Sequence, residues 1–313
     1  MALYIYIYDN KNLGYLHTLQ AETMSLSRVR TVVSTNWLRE QISTNVQKQA
    51  SKKLRILDTS FVMDRHADSY NEGYKKGHIP QSVHFDLYKC TPEKPGITVG
   101  WPDVNCFTDY VQSLGIWPET HVVAYDRFLP LSAYRTWWQF RAFGHRNISV
   151  LDGGLKKWLD DGFELTTEEP EFERSDFVPK LDKNLFRTFE DILENLKSKK
   201  EQLVEARPMD HPTMIDEEKG GFIIGSKFVS FFDLFMEDGT IKPDAELKAM
   251  FDQAGVDLDK PMVITCVRGL TACGIAAAAQ ILGKDNVPVY QGSWQEFFMK
   301  GPDEYKGKVQ QKS

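Results

Sequence analysis

Residues 120–159, THVVAYDRFLPLSAYRTWWQFRAFGHRNISVLDGGLKKWL, and residues 260–298, KPMVITCVRGLTACGIAAAAQILGKDNVPVYQGSWQEFF, are written on one plan. Each gives a buried apolar strand, a loop, a long helix ending near glycine, a second short strand, and a glycine-containing turn followed by an aromatic. VVAYD aligns with MVITC, and SVLDGGLKKW with PVYQGSWQEF. Asp126 therefore stands where Cys266 stands, and Gly153 where Gly292 stands, at offsets of 140 and 139 residues. The upstream parts agree as well: LRILDTS (54–60) resembles EQLVEAR (201–207), and GHIPQSVHFDLY (77–88) resembles GFIIGSKFVSFFDLF (221–235). Strands that alternate with helices imply right-handed crossovers, so each half is expected to be an α/β domain whose mainly parallel sheet carries helices on both faces.

A length of 313 residues suits two such domains, because single cores stop growing near that size. The expected boundaries are an N-terminal extension (1–30), a first domain (31–165), a linker (166–185), a second domain (186–305) and a tail (306–313). The linker assignment rests on a charged, aperiodic stretch with two prolines, TTEEPEFERSDFVPKLDKN. Helix patterns restart at 34–45 and 186–199, with Ser34 or Thr35, and Thr188 with Asp191, as expected N-caps. The extension lacks the basic and apolar regions of a secretory signal, while a basic stretch from Met24 (MSLSRVR) keeps organelle targeting open. Mitochondrial or cytoplasmic placement is expected.

Composition excludes several classes. With 42% hydrophobic and 26% charged residues and a net charge of -6, the chain has material for packed cores and no basic stripe that would neutralise phosphates, so nucleic acid is not an expected partner. No stretch approaches the roughly 20 apolar residues of a membrane helix. Cys90, Cys106, Cys266 and Cys273 form no CxxC pair and have no histidine at metal-ligand spacing. Neither a metal site nor a disulfide framework is expected, no cofactor is called for, and a reducing compartment fits.

The chemistry concentrates in MVITCVRGLTACGIAAAAQIL (262–282). An apolar strand ends at Thr265, the residues from Cys266 to Thr271 turn with Gly269 as the flexible point, and a small-residue helix follows. In α/β sheets ligands gather where strand ends become helix N-termini. Free N–H groups and the helix dipole there favour an anion, so Cys266 is expected to ionise below the free value of about 8.5 and act as a nucleophile without a histidine. The same N–H groups, those of Val267, Gly269 and Leu270 among them, suit a persulfide. Arg268 is expected to hold a sulfonate or carboxylate, and Thr271 to donate to the sulfur or cap the helix. The alanines at 276–279 serve close packing, and Cys273 is expected to be buried.

The loop CVRGLTAC, the segment GHIP, SAYRTWWQFRAFGH and the closing VPVYQGSW together resemble the two-domain rhodanese family, over about residues 31–305. The resemblance implies an inactive first domain and a second domain whose cysteine takes a sulfane sulfur from thiosulfate or 3-mercaptopyruvate and passes it to cyanide, a thiol or thioredoxin. It further implies that Arg135 reaches across to the anionic end of the substrate, with Arg141 a weaker second, while His78 orders a loop. A monomer or weak dimer is expected. Thiosulfate enzymes of the family usually have two basic residues after the cysteine, and mercaptopyruvate enzymes Gly then Ser. Val267 and Arg268 match neither pattern, and the one retained charge gives thiosulfate some weight. GFIIG in the second half lacks the His and Pro of GHIP, and Gln81 replaces its closing glycine.

Two rival readings remain. A phosphatase loop of the form C-x5-R needs an arginine six residues after the cysteine, and Ala272 stands there. A non-catalytic rhodanese-like binding module would keep the fold without turnover; the intact Cys266 speaks against it.

Overall fold

The computed structural model describes residues 30–47, 52–92 and 100–309, so the extension before residue 30 and the end of the tail lie outside the described residues. The first half runs β1 (Val32–Val33), α1 (Thr35–Gln47), β2 (Leu54–Asp58), α2 (Ser69–Glu72), β3 (Ser82–His84), α3 (Val104–Ser113), β4 (His121–Tyr125), α4 (Leu131–Ala142), β5 (Ile148–Leu151) and α5 (Gly154–Asp160). The second runs β6 (Phe186–Arg187), α6 (Phe189–Ser198), β7 (Gln202–Glu205), α7 (Pro212–Ile215), β8 (Phe222–Ile223), β9 (Lys227–Phe228), α8 (Asp244–Gln253), β10 (Met262–Thr265), α9 (Thr271–Ile281), β11 (Val289–Tyr290), α10 (Ser293–Lys300) and β12 (Lys306–Gly307).

Two five-stranded sheets result, ordered β1-β5-β4-β2-β3 and β6-β11-β10-β7-β9, with every neighbouring pair parallel. The orders are the same once the halves are superposed, so the repeat seen in sequence is a repeat of topology. β4 and β10 occupy the same interior place, and their β-branched and apolar residues are buried on both sheet faces as a parallel sheet demands. Each half begins its first helix with the expected cap: Ser34 Oγ accepts from the Trp37 N–H at 3.2 Å, and Thr188 with Asp191 forms a capping box. β12 pairs with β8, so the second half continues to Gly307, past the boundary expected at 305.

Residues 166–182 have no helix, as expected for a connection, yet they are not a free tether. His78 and Thr166 exchange backbone hydrogen bonds at 2.8 and 2.9 Å, and the N–H groups of Ser175 and Lys180 donate to the carbonyls of Gln112 and Phe143. The segment is laid along the first half. His78 Nδ1 and Nε2 contact the carbonyls of Tyr74 and Glu168, and its ring stacks on Tyr74, which is the loop-ordering role expected of it.

The expectation of four free thiols is corrected. Cys90 and Cys106 are joined by a disulfide, their Cα atoms 5.4 Å apart. They lie sixteen positions apart in sequence, so no short spacing betrays the pair; the Asp103 N–H donates to the Cys90 carbonyl at 2.8 Å, which holds the start of α3 beside Cys90. A reducing compartment, expected from unpaired cysteines, loses that support. Cys266 and Cys273 remain free.

One continuous apolar core runs through both halves, with α4 against α9 as the main helix contact across the boundary. Within the second half, α9 also packs closely on the segment that carries Phe231. A Cβ on Gly274 would lie 2.2 Å from the buried Phe231 ring, so only glycine fits there. Arg141 Nη2 donates to Gln280 Oε1 at 2.9 Å and Trp138 Nε1 to the Leu185 carbonyl at 2.8 Å, tying the halves together.

At the end of β4, Asp126 fills the loop that the repeat reserves for a side chain. Its carboxylate accepts from the Ser132 hydroxyl and, at 2.7 Å, from the Ala133 N–H. Burial nevertheless pushes its pKa from 3.8 to about 7, the two bonds only partly opposing that. A carboxyl whose pKa is raised on folding stabilises the fold fully below about 3.8, and the contribution fades as pH rises through about 7. Asp126→Asn is therefore expected to melt above wild type at pH 8, with the gain shrinking as pH falls toward 4. A difference in Tm that did not vary over that range would contradict this.

Candidate functional site

β10 delivers Cys266 to the same place in the second half, and the following turn is built around its sulfur. Gly269 sits at φ +71°, a left-handed conformation, and a Cβ there would fall 2.6 Å from the Gln291 carbonyl oxygen. This geometry turns the Gly269 N–H back onto Cys266 Sγ at 3.1 Å. Leu270 then caps α9 and Thr271 is its first residue, so the helix N-terminus faces the turn. The Thr271 hydroxyl makes no hydrogen bond to the sulfur among the described residues. α10 holds the turn from the other side: the N–H groups of Trp294 and Gln295 donate to the carbonyls of Cys266 and Val267 at 2.9 and 3.0 Å.

Cys266 is deeply set, with the residue only 2% exposed. Val267, Arg268 and Thr271 around it are half-buried and form the rim. Arg268 and Val267 also line an adjoining groove of about 370 Å³ with Lys219, Trp294, Phe298 and Met299. The Arg268 Nε is buried with no hydrogen-bond partner among the described residues, and the charge of Arg268 reaches Tyr88 of the first half, whose ring also lies under Arg65 at 5.0 Å. Arg268 thus gives the rim one positive charge at the boundary between the halves, with Asp216 also on the groove.

Arg135 crosses from α4 to the loop, but not to an open cleft. It is fully buried; Nη1 donates to the Gly269 carbonyl at 3.1 Å and Nη2 to the Gly100 carbonyl at 3.2 Å, with the guanidinium over Trp138. Its geometry is that of a brace on the turn that carries Cys266. Cys273 is buried as expected; its thiol donates to the same Gly269 carbonyl at 3.2 Å, and burial pushes its pKa up to about 12. Arg141 is spent on Gln280 and stands away from the sulfur.

Two residues near the site were not singled out from sequence. Arg207 is fully buried, paired through Nε and Nη2 with the two carboxylate oxygens of Glu205 at 2.8 Å and bonded to Thr213 and the Gly221 carbonyl, which fixes the segment bordering the groove. Ser293 lies in the GSW run, and its hydroxyl accepts from the Cys266 N–H at 3.1 Å. Aligning that run with DGG in the first half is the signal that would have marked it. Among the described residues no group of three His, Cys, Asp or Glu side chains is placed to hold a metal, and no helix is long and apolar enough to cross a membrane.

Comparison with known proteins agrees with this architecture. The family model for the rhodanese-like domain matches twice, over residues 34–161 and 188–300. The chain is 40% identical to thiosulfate sulfurtransferase of Bos taurus over 283 residues, covering 88% of this chain and 94% of the relative. It is 35% identical to 3-mercaptopyruvate sulfurtransferase of Mus musculus over 283 residues, again 88% and 94%. The solved SseA of Escherichia coli, a 3-mercaptopyruvate sulfotransferase, superposes with a TM-score of 0.74 at 29% identity over 85% of this chain and 99% of that one. Repeated topology, a cysteine cradled at one of two equivalent strand ends, and these matches lead to one assignment: the chain belongs to the rhodanese-like domain family, as a sulfurtransferase with two such domains.

Proposed function

We propose that the chain moves a sulfane sulfur from a small anionic donor, thiosulfate in preference to 3-mercaptopyruvate, to a thiol acceptor through a persulfide on Cys266. The observation that carries this reading is the Gly269 N–H aimed at Cys266 Sγ from 3.1 Å at the mouth of a helix N-terminus. A sulfur anion there is met by fixed dipoles that need no reorganisation. The 2% exposure of Cys266 restricts access to small reagents, and the half-buried Arg268 on the rim meets an anion as it enters.

In the first step the Cys266 thiolate attacks the outer sulfur of thiosulfate; the S–S bond of the donor breaks and sulfite leaves with the electron pair. In the second, an acceptor thiolate attacks the outer sulfur of the persulfide, and Cys266 departs as the thiolate that began the cycle. Substitution at sulfur in two halves predicts ping-pong kinetics. No proton need pass through a histidine. The preference for thiosulfate rests on Arg268, whose charge matches a sulfonate, and on the absence of a hydroxyl in the Val267–Arg268 pair. Smallness of donor and acceptor ends, rather than a deep organic pocket, is what the buried thiol selects.

Incubation with thiosulfate is expected to add one sulfur to the intact mass, and the adduct should be missing in Cys266→Ser; an unloaded wild-type protein would favour a rhodanese-like binding module instead. Arg268→Ala should raise KM for thiosulfate by about tenfold, the worth of one charge-assisted hydrogen bond, while leaving alkylation of Cys266 at fixed pH nearly unchanged. Equal losses in both measurements would mean that Arg268 acts on the thiolate and not on the donor.

A further inference from the structure

We infer that Ser293 is a positioning residue for the nucleophile, its hydroxyl fixing the Cys266 backbone and turning its proton to the sulfur when that sulfur becomes anionic. The inference rests on the persulfide reading above and deepens it at one residue.

The backbone of Ser293 is the first sign. It holds φ +51°, a region that non-glycine residues occupy rarely and that clusters at functional sites. The equivalent residue in the first half is Gly154, at φ +57°. The correspondence is close, because Leu155 N–H donates to the Asp126 carbonyl at 2.8 Å just as Trp294 N–H donates to the Cys266 carbonyl at 2.9 Å. In the first half a Cβ at residue 154 would lie 2.6 Å from the Asp126 carbonyl oxygen, so the turn is built for glycine. Only the half that keeps a cysteine carries a side chain at this point. A strained serine where glycine would suffice asks for a use of its hydroxyl.

The hydroxyl's surroundings supply that use. Ser293 is fully buried, and its Oγ accepts from the Cys266 N–H at 3.1 Å while donating to the Tyr290 carbonyl at 2.7 Å. Cys266 Sγ lies 3.8 Å from the same oxygen. The one hydroxyl proton thus has two acceptors within reach, a carbonyl in the present arrangement and the sulfur across the turn. A neutral thiol competes poorly for it, and a thiolate or persulfide anion competes well, since bonds to charged acceptors are the stronger. Rotation of the Ser293 hydroxyl would then join the Gly269 N–H as a second donor to the sulfur, with no proton transferred and no covalent bond made or broken. Ser293 does not line the groove beside Arg268, so its effect should fall on the chemical step and not on donor binding.

The test uses the full chain and two variants, Ser293→Gly and Ser293→Ala, with thermal melting and single-turnover loading of sulfur from thiosulfate. Ser293→Gly relieves the left-handed backbone but leaves the Cys266 N–H without its acceptor, two opposing effects of similar size, so its Tm should stay near that of wild type. Its loading rate should nevertheless fall about tenfold at saturating donor, with KM for thiosulfate unchanged. Ser293→Ala should lose the same rate without gaining stability. If Ser293→Gly loads at the wild-type rate, or if the loss appears in KM alone, the assignment is wrong. Failure of wild type to load at all would instead overturn the persulfide reading, so the two failures are distinguishable. Should Ser293→Ala fail to fold, Ser293→Gly still separates these outcomes, because the first half already tolerates glycine in that backbone.

Discussion

One residue without a side chain joins everything that matters here. The left-handed turn at Gly269 presents its N–H to Cys266 Sγ and its carbonyl to Arg135 and Cys273. Cys266, the helix behind it and the arm from the first half are therefore held through a single backbone unit. Any side chain at 269 would collide with the Gln291 carbonyl, so the turn can be closed in this way by glycine alone. The second domain supplies the thiol and the first supplies the brace.

That division gives the first half a structural part in the Cys266 turn although Asp126 stands at its own strand end. Its loop is still filled, by the Asp126 carboxyl held on Ser132 and Ala133. Its helix α4 is packed against α9 through one core, and Arg135 leaves that helix for the Cys266 turn. A buried guanidinium is costly unless its donors are used; Nη1 and Nη2 each reach a carbonyl, one from either half, while Nε has no partner among the described residues. The halves are thereby locked in register around the sulfur, which a lone domain would have to achieve by other means.

Most of the architecture was legible in the sequence because the repeat carries both topology and alignment: matched strand ends placed Asp126 and Cys266, and the Thr188–Asp191 cap announced its helix. What the sequence hid was three-dimensional. The Cys90–Cys106 bond joins residues with no telling spacing. The connection at 166–182 looks like a tether because its hydrogen bonds go to the backbone of the first half, and such bonds leave no mark on composition. The family resemblance brings Arg135 to the Cys266 turn; that its Nη1 donates to the Gly269 carbonyl is a contact no residue letter announces. Ser293 is marked in the sequence only by its alignment with Gly154, and its left-handed φ becomes visible only in the fold.

On the persulfide reading the turn, and not burial alone, sets the reactivity of the two free thiols. Both are almost fully enclosed, yet Cys273 faces a carbonyl and is held protonated, while Cys266 faces an N–H at a helix mouth. The direct measurement is residue-resolved alkylation by a small reagent such as iodoacetamide at neutral pH, read by peptide mass. Rapid modification of Cys266 with Cys273 untouched is the predicted result. Equal labelling of the two, or labelling of Cys273 first, would contradict the account.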